Sequence, residues 1–346
     1  MSGRPVVLHI TWQRHGGRAA EISAALGGEP LHVHPATRGG RRRAALTRYA
    51  LSTTTTAWAL ARRRPGAVVV TNPPVVPGLL AAAWSALARR PFVLDSHTSS
   101  FGVKGNDVAR RLLPVHRWLA RRAAGVMVTT DEWVEVVRSW GGQGVIVHEA
   151  PPTRAAPAAR EDEAPRTRPR AVFVCVFSDD EPVDAVVDAA ALVPEVDVVV
   201  TGDPARCPAG LRERAPSNVD LVGFLGPDAY RELLAGSDVV IALTTEPTSI
   251  MRAAYEAVYA GRSLVVSDWP ALRQTFPGAA FCDNTPRSLA DAVLEASGRT
   301  DAQLAEALAL QTERWEEQVA QLRSLLDLPS SADASGAVRG GAGGGP

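Results

Sequence analysis

The sequence predicts an α/β protein built from two parallel-sheet domains, and three observations predict it. Short β-branched runs alternate with helical stretches along most of the chain. The alternation halts at one segment rich in Pro, Ala and Arg, then restarts. At 346 residues the chain is long enough for two separate cores.

In the first half, VVLHIT, PLHVH, AVVVTN, FVLDSH, GVMVTT and GVIVHE read as six strands. Helical patterns lie between them, including Ala44 to Arg63, Gly78 to Arg90, Val108 to Ala124 and Asp131 to Trp140. Strands this apolar, separated by helices, belong to a parallel sheet covered on both faces. Residues 1–150 are therefore read as an N-terminal domain and 151–169 as a linker. Residues 170–328 repeat the plan with AVFVCVF, VDVVVTG, VDLVGFL, VVIALTT, SLVVSD and AAFCD, closed by a C-terminal helix or helix pair. Residues 329–346 carry few large apolar groups and are expected to be disordered.

Composition narrows the class. Hydrophobic residues make up 46% and charged residues 21%, an ordinary balance for a soluble domain protein. The three cysteines, Cys175, Cys207 and Cys282, lack metal-ligand spacing and suit a reducing cytoplasm. The N-terminus enters an apolar strand at once, without the parts of a signal peptide. The uncharged stretch from Pro65 to Ala88 is broken by Pro and Gly, which leaves too short a helix to span a bilayer. Charge is unevenly divided: residues 1–150 hold 20 Lys and Arg against 8 acids, residues 171–346 hold 12 against 26. The first half is expected to meet something anionic.

Ligands of open parallel sheets bind at the C-terminal ends of strands, so chemistry is sought there. In VVIALTTEPTSIMRAAYEAVYAGRSLVVSD a strand delivers the chain to a polar turn, Thr244 to Ser249, and a helix is expected from about Ile250 to Ala260. The helix start at Thr248, Ser249, Ile250 and Met251, with Arg252 beside it, suits a phosphate group. Glu256, about two turns in, can accept both hydroxyls of a ribose; the blander alternative is a surface glutamate.

This segment resembles the retaining nucleotide-sugar glycosyltransferases of the two-Rossmann (GT-B) type, family 4 in particular. Their signature there is Glu, seven residues, Glu, then Ala and a Gly-x-Pro-Val-Val strand. Glu256-Ala257 and Gly261-Arg262-Ser263-Leu264-Val265-Val266 match its second half, while Thr248 stands in the place of the first glutamate. The likeness extends through most of residues 196–295 and implies that Gly223 and Phe224 lie near the donor base. A tight turn and a core aromatic are the alternative for that pair. Many members place Arg and Lys after the first strand of this domain. Here Asp179, Asp180 and Glu181 stand there instead, either capping the next helix from Ser178 and Asp179 or impairing donor binding. Capping is the reading adopted.

In the first domain, Arg14, His15, Gly16, Gly17 and Arg18 form a glycine turn at a helix start, flanked by guanidiniums. The turn resembles the family's first loop, which faces the cleft between domains. A plain strand-to-helix turn is the rival view. The fourth strand ends at His97, where members commonly carry a histidine facing the sugar; Asp95 lies two residues before it, and Thr98, Ser99 and Lys104 are lesser candidates. Asn72-Pro73-Pro74 reads as a rigid loop. Arginines at 41–43, 62–64 and 121–122 could dock on anionic lipid.

The resemblance implies a metal-independent glycosyltransferase with a cleft between the domains. It would move a sugar from a nucleotide-diphosphate donor, the only cosubstrate, to a glycan, lipid-linked or small-molecule acceptor, with retention. It would work in the cytoplasm or peripherally at the inner face of the plasma membrane, without nucleic acid. Two alternatives stay open: a nucleotide-sugar 2-epimerase of the same fold, and a non-catalytic binding or scaffold relative.

Overall fold

The computed structural model describes residues 6–14, 17–36, 41–102, 110–152 and 166–329. His15, Gly16, Lys104, most of the linker and the tail from 330 lie outside the described residues. The chain divides into two compact units, residues 1–150 with 315–346, and residues 151–314.

The first unit runs β1 (Val7–Thr11), α1 (Gly17–Ala25), β2 (Glu29–His32), α2 (Arg41–Arg63), β3 (Ala67–Asn72), α3 (Val75–Ala88), β4 (Phe92–Ser96), α4 (Leu113–Arg122), β5 (Gly125–Val128), α5 (Asp131–Ser139) and β6 (Gly144–Ile146). All six strands are parallel in the order β2-β1-β3-β4-β5-β6. Strands β1, β3, β4 and β5 are buried end to end, as expected for a sheet covered twice. One face packs under Leu60 of α2, Ala81 and Ala82 of α3, Leu119 of α4 and Trp133 of α5. The other packs under Ile22 of α1. Helix α3 starts three residues earlier than the sequence pattern suggests, because Pro77 falls in its first turn, where no intrahelical N–H is required.

The second unit runs β7 (Arg170–Phe173), α6 (Val183–Ala190), β8 (Asp197–Thr201), α7 (Leu211–Arg214), β9 (Val219–Gly223), α8 (Pro227–Ala235), β10 (Val239–Ala242), α9 (Arg252–Tyr259), β11 (Ser263–Ser267), α10 (Pro270–Thr275), β12 (Ala280–Cys282) and α11 (Pro286–Ser297). A long helix, α12 (Asp301–Leu325), follows. The sheet order is β12-β11-β10-β7-β8-β9, all parallel. The order reverses between β7 and β10, which makes their C-terminal ends the crevice where such sheets hold ligands.

One expectation is corrected. The closing helix does not belong wholly to the second domain: Trp315, Leu322 and Leu326 pack against Val7, Val69, Val93, Met127 and Val145 of the first. They supply the apolar cover that the short α1 cannot provide by itself for that face of the sheet.

Candidate functional site

At the crevice of the second unit, strand β10 leads into Thr244, two residues past its end, and neighbouring side chains pin that residue in place. The Thr244 N–H donates to Ser267 Oγ at 2.9 Å, and the Thr244 carbonyl accepts from Trp269 Nε1 at 2.9 Å and Asn284 Nδ2 at 3.2 Å. Helix α9 begins only at Arg252, with Met251 as its N-cap in extended conformation and no side-chain cap. Thr248, Ser249, Ile250 and Met251 are thus the loop that leads into the helix, not its first turn, and Glu256 sits one turn in rather than two. The shift follows from Pro247 and the turn closed by Ser249 N–H to the Glu246 carbonyl, which delay the helical conformation.

Glu256 is half-buried and held from two sides. Tyr230 of α8 donates its hydroxyl to Oε2 at 2.6 Å, and Arg252 donates Nε–H to Oε1 at 2.8 Å. Burial, then the neighbouring Glu256 charge, pushes the Tyr230 hydroxyl well above its ordinary pKa, so it stays a neutral donor. A carboxylate has about four lone-pair sites, so two fixed donors still leave room for two hydroxyls of a ligand. The guanidinium of Arg252 is brought to the same helix end, which carries positive partial charge. Together they make a short electropositive rim with a prepositioned acceptor beside it.

The acidic turn after β7 does not cap α6. That helix starts at Val183 with Pro182 as N-cap and no side-chain bond to it. Glu181 instead folds back to accept the N–H groups of Val176 at 3.0 Å and Ser178 at 2.8 Å. Asp180 accepts from Ser178 Oγ at 2.8 Å and Thr244 Oγ1 at 3.1 Å, and its carbonyl takes the Thr245 N–H at 2.8 Å. Asp180 therefore ties the β7 loop to the β10 loop across the crevice, while Glu181 closes its own turn.

Gly223 and Phe224 stand at the end of edge strand β9, three strands from β10. Gly223 has φ +81°, a left-handed conformation suited to glycine, and Phe224 is 76% exposed. Phe224 is not a core aromatic; its ring is open to a ligand, although it takes no part in the Glu256 hydrogen bonds.

The first unit rearranges the sequence-based picture more. Arg18 is largely buried, its side chain 13% exposed, and spent internally: its Nε–H donates to both Asp95 oxygens at 3.2 Å, Nη1 to Glu149 Oε1 at 2.8 Å and to the His148 carbonyl, and Nη2 to the Val147 carbonyl. Burial would raise the Asp95 pKa, but the charge of Arg18 holds it below the ordinary carboxylate value. Asp95 and Arg18 thus lock α1 to β4 and to the segment after β6, which corrects their reading as ligand-facing groups. Arg14 remains exposed, its Nε 3.4 Å from His34 Nδ1, and Gly17 opens α1. His97 is exposed at the end of β4, its N–H given to the Asn72 carbonyl at 2.9 Å.

Behind it lie residues that sequence reasoning passed over. Buried Asn72 donates to Ser96 Oγ and to His116 Nδ1, both at 3.1 Å. The His116 pKa is lowered to about 4 by burial. His9 is fully buried near Asp95, and burial lowers it to about 4 as well. Tyr230 and His116 are single residues in short amphipathic helices and His9 lies in an apolar strand, and only the tertiary fold reveals their partners.

Comparison with known proteins decides the family. Residues 2–153 match the Glycosyl transferase 4-like domain, and residues 168–298 match Glycosyl transferases group 1. The chain belongs to the family-4-like, group 1 glycosyltransferases. Its fold is GT-B. The sucrose-phosphate synthase of Thermosynechococcus elongatus superposes with a TM-score of 0.68 at 16% identity, over 92% of this glycosyltransferase and 97% of that chain. Anabaena HepE in complex with UDP and glucose superposes at 0.69 and 15%, over 93% and 99%. The trehalose-6-phosphate synthase OtsA gives 0.67 at 11% identity, over 93% and 99%. At such identities these likenesses speak for the fold alone. Among curated proteins, the UDP-glycosyltransferase TURAN of Arabidopsis thaliana is 29% identical over 106 residues, which is 28% of this glycosyltransferase and 23% of TURAN. The chain therefore matches less than a quarter of that relative's length.

Proposed function

We propose that this glycosyltransferase binds a nucleoside-diphosphate sugar in its second unit and transfers the sugar with retention. One observation carries the reading: Glu256 is held half-buried by Tyr230 and Arg252 beside the start of α9. In this reading Glu256 accepts the ribose hydroxyls. The loop from Thr248 to Met251 and the amino end of α9 meet the diphosphate, with Arg252 supplying a full positive charge. Charge develops on the leaving diphosphate as the glycosidic bond breaks, and a positive helix end that needs no reorganisation favours that state. The leaving phosphate oxygen can take the acceptor's proton, so no strong protein base is needed. Phe224 offers its face to the base, and His97 holds a substrate hydroxyl. Names of two similar proteins include UDP or UDP-glycosyltransferase, so uridine diphosphate sugars are the first donors to try. The acceptor we favour is a glycan or a lipid-linked glycan, and the setting the cytoplasm. Free cysteines agree with that setting: burial pushes Cys175 up to about 12 and Cys282 up to about 11, as inert core thiols.

The test is calorimetric titration of the whole chain with UDP, GDP and their sugars, for the wild type and Glu256→Ala. One nucleotide should bind the wild type and lose at least tenfold in affinity with the variant, while thermal unfolding of the free proteins stays similar. Equal affinity for both proteins would refute the assignment of Glu256. A second reading, a binding relative without catalysis, draws on the acids that occupy the β7–β10 crevice. Absence of binding to any nucleotide would favour it.

A further inference from the structure

Helices α2, α3 and α4 lie side by side over one face of the first sheet, α3 touching both of the others. A surface layer normally turns polar side chains outward. This one does not. Leu46, Leu51 and Trp58 of α2, Leu79 and Leu87 of α3, and Trp118 of α4 all project outward, with Leu46 73%, Trp58 63% and Leu87 88% exposed. With Tyr49, they are seven of the twelve large apolar side chains left exposed among the described residues. Helix α3 carries no charged residue, and α2 has none from Tyr49 to Ala61.

Charge around this layer is mostly positive, with Glu29 paired to Arg63 at the end of α2. Residues 30–94 hold ten arginines and not one aspartate or glutamate. Exposed Arg43, Arg62 and Arg64 stand at the two ends of α2, and Arg89 and Arg90 at the end of α3. Arg122 of α4 lies over the Trp118 ring at 4.8 Å. Trp58, Ala61, Arg62 and Arg64 line an open concavity of about 390 Å³.

We infer that the outer face of α2, α3 and α4 docks on an anionic lipid bilayer, the apolar side chains entering the interface and the arginines meeting lipid phosphates. A protein partner would need a matching acidic and apolar surface. A bilayer supplies both at once, and tryptophan with arginine is the pairing that interfaces favour. No helix among the described residues is long and apolar enough to cross a membrane, so the contact is one of a face and not a span. The inference goes beyond donor binding and does not depend on it, since no nucleotide enters its test.

The test is co-sedimentation of the full chain with phosphatidylcholine vesicles, with and without phosphatidylglycerol, at rising salt. Binding should need phosphatidylglycerol and weaken with salt. Arg62→Gln with Arg64→Gln should weaken it by about fivefold per arginine. Trp58→Ser with Leu87→Ser should weaken it by about tenfold or more, with circular dichroism and thermal unfolding unchanged. Absence of binding to either vesicle would overturn the inference, as would binding that both variants retain. Concentration-dependent self-association in solution that Trp58→Ser abolishes, without vesicle binding, would assign the face to a second copy instead.

Discussion

Two histidines buried without charge in the first unit should make that unit sensitive to mild acid. His9 is fully buried and His116 nearly so, and burial lowers each from 6.5 to about 4. Above pH 6.5 both are neutral whether the chain is folded or not, and they add no pH dependence. Between pH 6.5 and 4 only the unfolded chain takes up their protons, so stability falls as the pH falls. A shift of that size corresponds to about 3 kcal/mol per histidine once pH 4 is reached, a large share of the stability of an ordinary domain. The perturbation is His9→Gln with His116→Asn, which keeps a neutral polar atom near the ring nitrogen facing Thr71 or Asn72. The assay is urea unfolding read by tryptophan fluorescence at pH 7.5, 6.5, 5.5 and 4.5. Seven of the eight tryptophans lie in the first unit, so the signal reports that unit even if the two unfold separately. The wild type should lose stability faster than the variant as the pH drops below 6.5. Parallel loss in the two proteins over that range would refute the reasoning.

Arg18→Met should destabilise the first unit by roughly 3–5 kcal/mol, because Asp95 and Glu149 lose their buried cation; the urea midpoint reads it, and a change below about 1 kcal/mol would show that the acids find other partners. Tyr230→Phe removes a hydrogen bond to a charged carboxylate and should weaken the nucleotide by about tenfold with little effect on folding; an unchanged dissociation constant would show that Glu256 needs no positioning by Tyr230.

Most of the architecture was legible because it rests on local patterns. The central strands appear as apolar runs, since a sheet buried on both faces leaves no polar alternation to obscure them, while edge strands β2 and β9 are more polar and partly exposed. Glu256 was legible through its neighbours in the chain, Ala257 and the turn at Gly261. What stayed hidden depends on contacts distant in sequence. Arg18 looks like an anion-binding arginine in a glycine turn, and nothing local shows that Asp95 and Glu149, 77 and 131 residues away, consume it. The stripe formed by Trp315, Leu322 and Leu326 is visible as a helix face, but the sheet it covers belongs to the opposite end of the chain. Tyr230 is one tyrosine in a short helix until α8 and α9 are placed together.

The acidic turn after β7 shows why charge in the sequence need not be charge at the site. Three carboxylates beside a diphosphate would oppose it strongly if they faced it across a dry gap. Glu181 has its oxygens filled by two backbone N–H groups of its own turn, and Asp180 has one oxygen on Ser178 and the other on Thr244. Donors that close on a carboxylate offset part of its field and fix its direction. They also bind the β7 loop to the β10 loop, so the turn contributes rigidity to the polypeptide that leads into α9. The cost is that no cation stands at the end of the first strand to meet a phosphate. If the second unit holds a nucleotide as proposed, that duty falls on the amino end of α9 and on Arg252, whose guanidinium is already oriented by Glu256. On the proposed reading one glutamate does two things: it presents oxygens to a sugar ring, and it holds the cation that the neighbouring phosphates require.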